Sequence, residues 1–178
     1  MAYFEVAVRC MLIVVFGIAF VGKARGLAEF ADSVREMRVL PAGLAGPAAL
    51  AVLLAEGVVC GVLLLPFAWT SLVGFALAGL LLGAFAVGIL ISLGKGTRTP
   101  CRCFGASTTP LGGRHVMRNL VLTGICTAGI AASPADSPEF GAGTLLGGFC
   151  GLLIGVAVTA LDDLVSLLRP LGDPLRRT

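Results

Sequence analysis

Between positions 39 and 94 the chain runs for 56 residues with a single charged side chain, Glu56. A soluble domain has no way to cover so long an apolar run, whereas lipid is a solvent for it. One crossing of a hydrocarbon core about 30 Å thick takes about 20 helical residues, so the stretch has the length of two crossings. The break is predicted at Pro66-Phe67-Ala68-Trp69-Thr70-Ser71, because proline stops a helix and tryptophan prefers the interface. Spans 2 and 3 are therefore placed at residues 47–65 and 70–93. Each must be helical, since lipid offers no partner to unpaired backbone groups.

Composition carries the same message along the rest of the chain. Of the 178 residues, 57% are hydrophobic and 13% charged, against about 45–50% and about 25% in soluble domains. A soluble enzyme, a disordered tail and a nucleic-acid module are excluded, and membrane lipid is the first expected partner. The charges sit in islands. Residues 10–22 are uncharged, and the span extends back to Phe4 if Arg9 snorkels to the interface. A cleaved signal peptide is the competing reading of span 1. The leader has no net positive charge, however, and Lys23-Ala24-Arg25 is a poor cleavage site. Residues 119–135 give a short fourth span and 140–161 a fifth. The expected fold is an all-α integral membrane bundle of four to five helices over residues 1–161, followed by a short amphipathic or disordered tail at 162–178.

Within residues 24–40, Leu27, Phe30, Ala31, Val34 and Met37 recur at helical spacing with charged residues between them. That pattern predicts an amphipathic interfacial helix between spans 1 and 2. Span 5 carries Gly143, Gly147, Gly151 and Gly155 on one face, which permits close backbone approach between helices. The stripe fits a compact bundle or an oligomer face. The expected location is a bacterial plasma membrane, crossed several times. Twelve of the 13 basic residues fall in the loops after spans 1 and 3 and in the tail. The positive-inside rule assigns that side to the cytoplasm.

Chemistry is concentrated in residues 95–119. Cys101 and Cys103 stand one residue apart, so a disulfide between them closes a small, strained ring, labile as an exchange centre is. Lys95, Arg98, Arg102, Arg114 and Arg118 share the stretch with no carboxylate, a field that favours thiolate. His115, the one histidine, adds a base or a further positive charge. Metal binding is the rival reading, but Cys101, Cys103 and His115 make only three ligands, and no metal is assigned. Cys10, Cys60, Cys126 and Cys150 fall inside apolar spans and read as packing residues, unless one span ends near the loop and supplies a resolving thiol.

Glu56, near the middle of span 2, must be protonated or paired. It reads either as a proton relay or quinone contact, or as a structural hydrogen bond to Ser71, Thr123 or Thr127. Lys23 becomes its ion partner only if the amphipathic helix folds that lysine inward.

These features resemble one family. Gly22-Lys23 closing span 1, Glu56 in span 2, the Cys101-Arg102-Cys103-Phe104-Gly105 loop and Arg118-Asn119 opening span 4 are similar to the MauE branch of the DoxX-like membrane proteins. The resemblance covers residues 4–132. It implies a role in methylamine utilisation, assisting disulfide formation in, or maturation of, the small subunit of methylamine dehydrogenase. It also implies that Cys101 and Cys103 are the exchange pair, with Arg102 where relatives often have a small residue. The electron partner would be a thioredoxin-like protein, a client enzyme with cysteines or a membrane quinone. Disulfide formation belongs outside the cytoplasm, whereas the charge count places this loop inside. Two readings follow: a thiol–disulfide oxidoreductase accessory, or a non-enzymatic docking subunit with a structural or metal-binding Cys-x-Cys loop.

Overall fold

The computed structural model describes residues 2–96, 112–133 and 141–168. Six α-helices account for most of them: α1 Ala2–Arg25, α2 Leu27–Glu36, α3 Ala45–Leu64, α4 Ala68–Gly94, α5 Gly113–Ala132 and α6 Ala142–Leu168. A short 3-10 turn, Ala42–Leu44, leads into α3. The helix boundaries follow local chemistry. Pro66 separates α3 from α4, and Gly96 takes φ +70 just past the end of α4, where its N–H donates to the Leu93 carbonyl at 3.0 Å.

Among the described residues, four segments are long and apolar enough to cross a membrane: Tyr3–Arg25, Ala42–Leu64, Trp69–Gly94 and Ala142–Ala160. The molecule is thus an all-α multi-pass membrane bundle. The expected fourth span corresponds to α5, whose 20 residues match a hydrocarbon core in length. Its first two turns carry Arg114, His115, Arg118 and Asn119, which makes it less apolar than the others.

The helices run alternately up and down. Arg9 of α1 meets Leu63 of α3, and Gly129 of α5 meets both Phe75 of α4 and Val8 of α1. One end of the bundle, here the N-terminal end, holds the start of α1 and the α3–α4 turn. The other, the loop end, holds Gly96 and Gly112. The core between α1, α3, α4 and α5 contains Leu12, Phe16, Leu63, Phe75, Leu82 and Leu122, all essentially buried. The outward apolar side chains, such as Leu80, Leu145 and Phe149, are well exposed, as lipid-facing residues are. Phe67 and Trp69 stack with ring centroids 6.3 Å apart and lie exposed at the α3–α4 turn, in keeping with an aromatic belt.

Two expectations require correction. The stripe Gly143, Gly147, Gly151 and Gly155 is not an oligomer face, because α1 of the same chain fills it. A Cβ on Gly147 would lie 2.6 Å from the Tyr3 carbonyl oxygen, one on Gly151 would collide with the Ala7 carbonyl, and one on Gly155 would lie 2.8 Å from Val14 Cβ. Lipid supplies no hydrophobic force between helices, so this close backbone approach is what fastens α6 to the bundle. Arg9 does not snorkel. Its guanidinium donates to the Leu63 carbonyl at 2.6 Å, to the Leu65 carbonyl and to Ser71 Oγ at 3.0 Å, satisfying carbonyls that the end of α3 leaves open.

Candidate functional site

Lys23 lies in the last turn of α1 and Glu56 near the middle of α3. Lys23 Nζ donates to Glu56 Oε1 at 2.6 Å, and both side chains are 1% exposed. What turns the lysine inward is α2. Its amphipathic face packs along α3 and buries Phe30. Phe30 brings its ring centroid to 5.2 Å from Lys23 Nζ, and Phe85 of α4 brings a second ring to 5.6 Å. The ammonium therefore has a carboxylate and two aromatic faces around it, a dry cation site of strong interactions.

The carboxylate also borders a small cavity. Val15, Phe16 and Ala19 of α1, Glu56 of α3, Leu82 and Phe85 of α4, and Asn119 of α5 line it. It has room for about one water molecule. The quinone contact considered for Glu56 does not fit here, since a headgroup ring is several times larger. Glu56 and Asn119 thus border one space and are both almost fully buried, and Glu56 Oε2 has no hydrogen-bond partner. One turn from Asn119 toward the loop end, His115 is also buried, with Ser92 of α4 fully buried in the same end of the bundle. A positional spacing of four puts His115 and Asn119 on one face of α5.

The other sequence candidates separate by position. Arg114 is exposed and Arg118 half-buried at the start of α5. Cys101, Arg102 and Cys103 lie outside the described residues; the segment that holds them leaves and rejoins the bundle at the loop end, through Gly96 and Gly112. The structural partners considered for Glu56 are engaged elsewhere. Thr123 donates to the Asn119 carbonyl at 2.8 Å, Thr127 to that of Gly124 at 2.7 Å, and Ser71 to Glu5. No group of three or more His, Cys, Asp or Glu side chains able to hold a metal occurs among the described residues.

The four helix cysteines all sit in the half of the bundle remote from the loop end. Cys126 is 13 residues along α5 from Gly113, about 20 Å at 1.5 Å per residue. Cys60 is four residues from the end of α3, and Cys10 and Cys150 lie toward the starts of α1 and α6.

Sequence reasoning missed a second buried carboxylate. Glu5, 1% exposed, accepts from Ser71 and lies 3.8 Å from Arg9. The four-residue spacing of Glu5 and Arg9 was the available signal. Phe85 carried no signal at all, being one phenylalanine in an apolar span.

The fold and this interior define a class: a polytopic helical membrane protein that keeps a lysine–glutamate pair inside the bundle and bears a Cys-x-Cys segment between two of its helices. Residues 1–132 match the family described as methylamine utilisation protein MauE, and the chain belongs to that family. It is 35% identical over 164 residues to the methylamine utilization protein MauE of Paracoccus denitrificans, spanning 89% of this chain and 87% of that protein. No solved structure matches it.

Proposed function

We propose that the protein is a membrane thiol–disulfide redox accessory that assists disulfide formation in, or maturation of, a partner enzyme. Cys101 and Cys103 are its exchange pair. In the oxidised state, a client thiolate attacks one loop sulfur and the loop disulfide breaks. The mixed disulfide so formed is displaced by the client's second thiolate, leaving the client oxidised and the loop a dithiol. Two electrons then pass from the dithiol to a thioredoxin-like disulfide or a membrane quinone, restoring the pair. Arg102, Arg114 and Arg118 favour the thiolate. The family membership brings methylamine utilisation as the process served, with an enzyme of that process as client.

The observation that carries this reading is the separation of the cysteines. Four lie on helices in the half of the bundle away from the loop end, which leaves Cys101 and Cys103 as the pair in a polar, cationic segment. The test replaces the four helix cysteines by alanine and applies a membrane-impermeant maleimide to intact cells, with and without prior reduction. Labelling that appears only after reduction is the expected result. Equal client maturation with Cys101→Ser and Cys103→Ser in place would sink the exchange role and leave a docking subunit.

A further inference from the structure

We infer that the loop end of the bundle carries a binding site for an anionic phospholipid, its phosphate held by Arg38 and Lys95 and an acyl chain laid along the outer face of α4. The proposal does not rest on the cysteine reading. It starts from the backbone. Arg38 follows the end of α2 at φ +52, in the left-handed region where glycine is the usual residue just past a helix. At the end of α4 the same region is taken by Gly96, at φ +70. Arginine carries strain in this conformation that glycine does not, so a guanidinium stands here against the backbone preference. Lys95 is brought against it: its Nζ donates to the Arg38 carbonyl at 2.6 Å, and both residues are exposed.

Among the described residues, neither cation pairs with a carboxylate. Asp32 is taken by Arg35 and Glu56 by Lys23, and Glu36, two positions before Arg38, is exposed. Arg114, exposed in the first turn of α5, adds a third positive charge at this end of the bundle. The three elements converge here, because Val116 of α5 is buried with Ala86 and Ile89 of α4, and Met37 and Leu93 pack against them. Like charges gathered in this way favour an anion among them, and the arginine fork suits two phosphate oxygens. Lys95 also ends an outward apolar stripe. Ile91 and Val87, one and two turns before it on the same face of α4, are both exposed. The apolar span Trp69–Gly94 stops immediately before the lysine. Apolar side chains in line beneath a cation at the end of a span match the two parts of a phospholipid, acyl chain and phosphate. A soluble phosphate compound leaves the apolar half unused.

The experiment uses the full-length protein in nanodiscs of equal parts phosphatidylglycerol and phosphatidylcholine. Native mass spectrometry then counts the lipid retained on the released protein. The expected result is retention of phosphatidylglycerol over phosphatidylcholine. Arg38→Gly, which removes the charge and the backbone strain together, should lower that retention about fivefold, while the protein melts no lower than wild type. Lys95→Gln, which keeps a donor for the Arg38 carbonyl without the charge, should lower it by a similar factor and covers the case in which Arg38→Gly does not fold. Excess glycerol phosphate, a headgroup without acyl chains, should leave the retained lipid in place. Equal retention of the two lipids, or wild-type retention of phosphatidylglycerol in the Lys95→Gln protein, would overturn the proposal and leave two solvated cations. Displacement by glycerol phosphate would overturn the lipid as the occupant.

Discussion

At the scale of single residues, the bundle handles its interior charges by giving each a specific partner. Lys23 and Glu56 are 2.6 Å apart and nearly inaccessible, so the cost of removing one partner is the cost of stranding the other. Glu56→Leu is expected to destabilise by about 3–5 kcal/mol. Adding Lys23→Met to it should recover most of the loss, because a hydrophobic replacement of a whole buried pair is close to neutral. Thermal unfolding of the two proteins in one detergent decides the matter; a double variant no better than the single would mean that the ion pair itself is not what is lost. Arg9 presents the same logic at the other end of the bundle. Its planar fork reaches the carbonyls of Leu63 and Leu65 together with Ser71 Oγ. Arg9→Lys, which keeps charge without the fork, should therefore retain only part of the stability that Arg9→Met loses, the latter about 2–3 kcal/mol on the scale of charged hydrogen bonds. Glu56 was legible in the sequence as a lone charge in a 56-residue apolar run. Its partner was not, since nothing in one dimension shows that a lysine at the end of α1 turns inward.

At the scale of elements, helix existence was readable and helix partnership was not. Hydropathy and proline placed α3 and α4 to within a few residues, because a membrane span is fixed by its length and by the rule that its backbone bonds itself. The amphipathic pattern of α2 was likewise plain. Its packing along α3 with Phe30 over Lys23 depended on the fold. The glycine stripe of α6 shows the same division: the sequence marked a face for close approach and could not say whether α1 or another molecule would fill it. Gly151→Val, which drives a branched side chain against the Ala7 carbonyl, should cost at least about 3 kcal/mol, the upper range of overpacking. Gly61→Ala, with nothing within 4 Å of its added Cβ, should be neutral or gain up to about 1 kcal/mol from helix propensity. Melting curves with the opposite ranking would mean that α6 does not rest on α1 in this register.

The whole molecule joins α1 and α6 side by side and parallel, so that chain segments more than a hundred residues apart share one interface. Gly148 on α6 provides a direct reading of it, since a Cβ there would lie 3.5 Å from Cys10 Sγ. The Gly148→Cys protein, oxidised in membranes, is expected to form a bridge to Cys10 within one chain and to run as a monomer of altered mobility. A ladder of dimers instead would return the glycine face to an intermolecular role. By itself the sequence determined that this chain lives in a bilayer, roughly where its helices begin and end, and which segment concentrates thiols and cations. These are local properties, set by hydropathy, proline, glycine and charge along a few turns. Only the tertiary structure decided which helix fills the glycine face, what Arg9 and Lys23 bond to, and that Glu56 shares a cavity with Asn119. Each of those joins residues far apart in sequence, and a buried charge is tolerable only where the assembled bundle brings its partner.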